Sequence, residues 1–136
     1  MIYVSNGLSA YREQDQFPIA VTVDGVTHHF EHGFLLSTTN HPYCGGGVPL
    51  LPQADPFNDA LDTVVVETPK TKQLFRAVYE LVHDGSHVNE PFFHYYESNR
   101  IEVQSFAPEY GQLDGEELGR HPFHFLFTTS SFKLIV

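Results

Sequence analysis

Gln112-Leu113-Asp114-Gly115-Glu116 sets two carboxylates on either side of a glycine, inside alternating strand-like sequence. A carboxylate held on a tight turn can act as a general base. With an unperturbed pKa of about 4 it is a weak one. It serves best where the attacking hydroxyl loses its proton late and the base mainly positions it. Asp-Gly is also the commonest pair in a two-residue hairpin, because glycine accepts positive φ, so a plain turn is the competing explanation.

A second acidic stretch runs from Asp55 through Pro56, Asn58, Asp59 and Leu61 to Asp62. Three aspartates and an asparagine in eight residues suit a hard cation such as Mg²⁺, which takes carboxylate, carbonyl and water oxygens. A solvated turn of Asx residues explains the same composition. Gly45-Gly46-Gly47 has neither the following helix nor the lysine of a phosphate cradle. His28, His29, His32 and His41 precede the single cysteine, Cys44, but their spacing matches no tetrahedral metal set. His121 and His124 are three apart, so on one strand they would face opposite sides.

The elements that must position these groups are mostly strands. Phe17–Val23, residues 26–30, 33–39 and 61–67 read as strands, with Asp24-Gly25 as a hairpin turn. One helix is expected over about 69–84. Thr68 would cap it, Pro69 would open it, and Asp84-Gly85 would end it. Leu74, Phe75, Val78, Leu81 and Val82 form its apolar stripe. Strands resume at about 92–97, 99–106, 110–113, 117–127 and 131–136. The fold class is therefore mainly β, a two-sheet β-sandwich with one inserted α-helix. A chain of 136 residues fits one domain, 1–136.

Composition narrows the functions. Twelve Phe and seven Tyr favour pleated, half-buried surfaces. A formal charge of −10 argues against nucleic-acid binding and against electrostatic docking of this part alone on an anionic membrane. One cysteine permits no internal disulfide and fits a reducing cytoplasm. The N-terminus lacks the features of a signal peptide, and no apolar run approaches a spanning length, so any membrane contact is expected to be peripheral.

The order of the motifs carries a resemblance. Asn40 through Gly45-Gly46-Gly47, then Pro52-Gln53-Ala54, then Asp59-Ala60-Leu61-Asp62, and finally Asp114-Gly115-Glu116 with Gly119 and Pro122-Phe123, resembles the second domain of the soluble bacterial diacylglycerol kinase and lipid kinase family. The resemblance covers about residues 17–136. It implies a two-domain parent whose N-terminal domain binds ATP, and this chain would be the C-terminal half, inactive alone. It implies Asp114 as the base toward a lipid hydroxyl and Glu116 as its support. Asp59 would be the carboxylate of a structural Mg²⁺ site, completed by the carbonyls of Pro56 and Leu61. The family has glycine where this chain has Ala60, which would carry a steric cost if that position needs positive φ. The implied partners are a lipid substrate at the membrane surface and the chain's own N-terminal domain. Sheet edges left open without that domain could pair two copies as a homodimer. The alternative is a freestanding β-sandwich module that binds a ligand or partner without catalysis.

Overall fold

The computed structural model describes residues 16–43, 48–106, 109–113 and 116–129, with backbone alone over 109–121. Eight strands are present among the described residues. They are β1 (Phe17–Val23), β2 (Val26–Thr39), β3 (Leu61–Glu67), β4 (Phe93–Ser98), β5 (Arg100–Ser105), β6 (Glu109–Leu113), β7 (Glu116–His121) and β8 (His124–Thr128). Among the described residues a helix, α1 (Thr71–His83), and a 3-10 turn, η1 (Ser86–Asn89), lie between β3 and β4. Six strands form one antiparallel sheet in the order β4-β3-β2-β1-β5-β8, and β6 with β7 forms a separate two-stranded sheet.

The β1–β2 hairpin closes as its turn residues dictate. Asp24 and Gly25 have φ of 51° and 81°, and Val23 pairs with Val26. Two successive positive φ values match the twist of the flanking strands. Residues 26–30 and 33–39 are not two strands but one of 14 residues. Register shifts beside Gly33 let the first part of β2 pair with β1 and the second with β3. Glycine is required there, because a Cβ on Gly33 would lie 2.8 Å from the carbonyl oxygen of Phe17. The long segment 117–127 divides at Pro122-Phe123 into β7 and β8, since proline cannot donate to a ladder. Segment 131–136 lies outside the described residues.

Alternation along the strands builds two apolar layers. On one face Phe17, Ile19, Val21 and Val23 of β1 meet Phe30, Val65, Ile101 and Val103. On the other, Phe34, Val64, Val66 and Phe93 meet Leu51 and Ala54 of the 48–60 loop, with Ala77 of α1 and Val88 of η1 against them. Each fully buried aliphatic chain, Val21, Val64, Val65 or Ile101, contributes about 1.5–3 kcal/mol.

The helix differs from expectation at its start. Thr68 donates its N–H and its hydroxyl to the carbonyl of His32, at 2.9 and 3.3 Å, so it is not free to cap. Lys70 takes the cap position, and its N–H donates to Gln73 Oε1 at 2.8 Å. The end is as expected: Asp84 and Gly85 both donate to the Glu80 carbonyl, and Gly85 adopts φ 78°. The apolar stripe splits. Leu74, Ala77 and Leu81 turn inward, whereas Phe75, Val78, Tyr79 and Val82 are exposed.

Candidate functional site

The 48–60 loop is pinned before it reaches its acidic end. Leu51 and Ala54 are buried plugs, and Leu51 N–H donates to the Pro42 carbonyl at 3.1 Å. His87, itself buried, bonds the Leu50 carbonyl through Nε2 at 2.9 Å. From this anchor the segment Asp55–Ala60 projects into solvent, with Phe57 at its tip.

Two side chains shape that projection. Asp55 Oδ1 accepts the Phe57 N–H at 2.8 Å, and Asn58 Oδ1 accepts the Ala60 N–H at 3.2 Å. Both are Asx turns, so these residues are committed to backbone geometry. Asp59 is exposed, and its carbonyl accepts the Thr129 hydroxyl at 3.3 Å. Thr129 N–H donates to the Asn99 carbonyl, so the end of β8 and the β4–β5 turn hold the loop from one side. Leu61 opens β3 opposite Ser98. Asp59, Pro56 and Leu61 thus lie on one tethered loop at one end of the large sheet. Ala60 is not in the left-handed region, since Asp24 alone among described non-glycine residues has positive φ. Alanine in place of the family's glycine therefore carries no backbone strain. The groups expected to hold a cation there, one carboxylate and two carbonyls, offer oxygen alone, the ligand type of a hard cation.

Asp62 does not belong to this loop. It is the second residue of β3, fully buried, and Tyr95 on β4 donates its hydroxyl to Oδ2. Its other oxygen, Oδ1, is buried with no hydrogen-bond partner. Burial first, then the Asp62 carboxylate, pushes the Tyr95 phenol above its ordinary range. Nothing in the sequence pattern announces this pair, because 33 residues separate its members and only the β3–β4 register joins them.

The carboxylates of the second motif are less visible. Leu113 pairs with Glu116 where β6 ends and β7 begins. Asp114 and Gly115, between them, lie outside the described residues, as does the Glu116 side chain. The histidines do not converge. His28 packs on Tyr96 and His29 on Phe106, while His32 offers its backbone to Thr68. His121 and His124 are on different strands rather than on two faces of one, and His124 bonds Glu102 at 2.5 Å. Among the described residues, no three His, Cys, Asp or Glu side chains gather as a metal set.

Comparison with known proteins agrees with this architecture. The family model described as YegS C-terminal NAD kinase beta sandwich-like domain matches residues 1–136. A curated relative, the "Putative lipid kinase YtlR" of Bacillus subtilis (strain 168), is 25% identical over 135 residues, covering 98% of this chain and 43% of that protein. A crystal structure named as a "putative diacylglycerol kinase" from Bacillus anthracis str. Sterne superposes with a TM-score of 0.65 at 21% identity, over 93% of this chain and 47% of that one. A second diacylglycerol kinase structure from the same organism gives 0.60 at 20% identity, over 90% and 45%. The chain thus spans less than half the length of these relatives. The match across its whole length places it in one family: this chain belongs to the YegS C-terminal NAD kinase beta sandwich-like domains.

Proposed function

We propose that this chain is the C-terminal half of a two-domain, ATP-dependent lipid kinase that phosphorylates a lipid hydroxyl, diacylglycerol or a close relative. The observation that carries this reading is the family match over the entire chain, joined to relatives named as lipid and diacylglycerol kinases. The nucleotide would be held mainly by an N-terminal domain.

Asp114 would accept the proton of the attacking hydroxyl, and Glu116 would keep it oriented. Such a base acts mostly by position, because the transition state of phosphoryl transfer is loose. Asp59, with the carbonyls of Pro56 and Leu61, would hold Mg²⁺ and fix the loop at one end of the large sheet. Magnesium, when bound, supplies positive charge to offset the charge on oxygen. The Thr129 and Asn99 tethers keep that loop in place from the protein side.

The test is reconstitution. Alone, the chain should transfer no phosphate from ATP to micellar diacylglycerol. Joined to the nucleotide-binding half of its parent, it should do so. A joined protein that binds ATP and lipid yet transfers nothing would reject the reading in favour of a binding module.

A further inference from the structure

The outward face of α1 is apolar where the rest of the molecule gives it nothing to pack against. Phe75, Val78, Tyr79 and Val82 recur at three- and four-residue spacing, and their exposures are 59, 36, 59 and 65%. These four therefore form one continuous stripe along the helix. At its far end the stripe runs into a shallow groove of about 340 Å³, lined by Val82, Leu81, Pro49 and Pro52.

The charges beside the stripe are of one sign for most of its length. Lys70 and Lys72 are exposed at its start, and neither meets a carboxylate among the described residues. His83 stacks on Tyr79 at 4.5 Å on the same flank. Arg76 also lies on this side, but its guanidinium is committed to Glu80 and Glu90 at 3.0 and 3.1 Å. Glu80 is placed on the inward side by its spacing from the stripe, and Asp84 stands only at the C-terminal end. Residues 70–84 thus carry Lys70, Lys72 and Arg76 against Glu80 and Asp84, a small positive excess in a chain of net charge −10.

An apolar stripe edged by lysines is the pattern of a helix that lies in a membrane interface. A second copy of the chain fits less well, because four partly exposed side chains fall short of the ~800 Å² per partner of a stable dimer. Repulsion from the distant acidic residues is screened beyond about 10 Å at 0.1 M salt, while the lysines would sit at contact.

We propose that α1 docks this domain on an anionic lipid surface, with Phe75, Val78, Tyr79 and Val82 entering the headgroup boundary and Lys70 and Lys72 meeting lipid phosphates. The choice of a lipid surface over a protein groove rests on the lipid-kinase reading above.

Flotation of the 136-residue chain with vesicles of phosphatidylglycerol and phosphatidylcholine tests this. Binding should rise with the phosphatidylglycerol fraction and fall with salt. The double variant Lys70→Ala, Lys72→Ala should weaken it, by about fivefold per lysine. Phe75→Ser with Val82→Ser should weaken it at least tenfold with the far-UV spectrum unchanged, since both residues are exposed. No vesicle binding would overturn the inference, as would binding that neither double variant reduces. A stable dimer abolished by Phe75→Ser, Val82→Ser would assign the face to a second copy instead. The kinase reading is separable: an unsubstituted joined two-domain protein that phosphorylates micellar lipid yet binds no anionic vesicle would sink the docking surface alone.

Discussion

At the scale of single residues, Asp62 and Tyr95 carry the sharpest expectation. A fully buried carboxylate with one donor and one unpartnered oxygen depends heavily on that donor. Tyr95→Phe removes the hydroxyl and keeps the ring, and should cost about 1–3 kcal/mol in urea unfolding. An unchanged midpoint would mean that the pair contributes nothing. The pair also has a pH signature. An unfolded tyrosine ionises at about 10. Tyr95 is held above that in the fold, so the unfolded chain releases this proton first, and stability falls as pH rises past about 10. The Phe variant should lose that part of the slope.

Asp59 makes the complementary prediction. Asp55 and Asn58 spend their side chains on turns, which leaves Asp59 as the carboxylate of that loop available to a cation. If the loop holds Mg²⁺, millimolar Mg²⁺ should raise the melting temperature of the chain, and Asp59→Ala should abolish the rise. An equal rise in both proteins would place the ion elsewhere. Composition could point to this acidic segment but could not sort its members. The inward position of Asp62 follows from where β3 begins, which the Asx turns set, and a run of aspartates looks alike on either side of that boundary.

Elements were legible wherever a local rule governs them. The Asp24-Gly25 hairpin, the Gly85 helix end and the strand at 61–67 all follow from neighbours in the sequence. The start of α1 does not, because Thr68 meets a carbonyl 36 residues away. Nor does β2, whose single long strand depends on a bulge between two partner strands. Gly33→Ala tests that bulge. The added Cβ meets backbone, which cannot swing aside as a side-chain tip could, so a loss of about 1–3 kcal/mol is expected. An unchanged midpoint would mean the bulge relaxes freely.

The junction of α1 with η1 carries a second titrating element. Glu90 is buried beside Glu80, and burial, followed by the neighbouring Glu80 carboxyl, raises its carboxyl above the usual range despite Arg76. A raised carboxyl stabilises the fold below its unfolded pKa of about 4.3, and that contribution is lost as pH rises through the native value. Glu90→Gln should therefore gain on the wild type between pH 4 and pH 7 in denaturant midpoints. A gap that narrows with pH would contradict this.

At the scale of the molecule, the chain spans less than half the length of the relatives it matches. The fold class followed from alternation and composition, and the family from the order of modest motifs. What the sequence could not supply is the tertiary environment: which face of α1 stays outside, and which aspartate is sealed within. Among the described residues no helix is long and apolar enough to cross a membrane, so the outward stripe on α1 is a surface feature and not a span.

The central claim is that Asp114 serves as the base of a lipid kinase whose nucleotide site lies on another domain. The direct measurement is steady-state phosphorylation of micellar diacylglycerol by the two-domain protein, with Asp114→Asn against wild type. The turnover number should drop by about 10²–10⁴-fold while the KM for ATP holds. Wild-type turnover in the Asn variant would contradict the account.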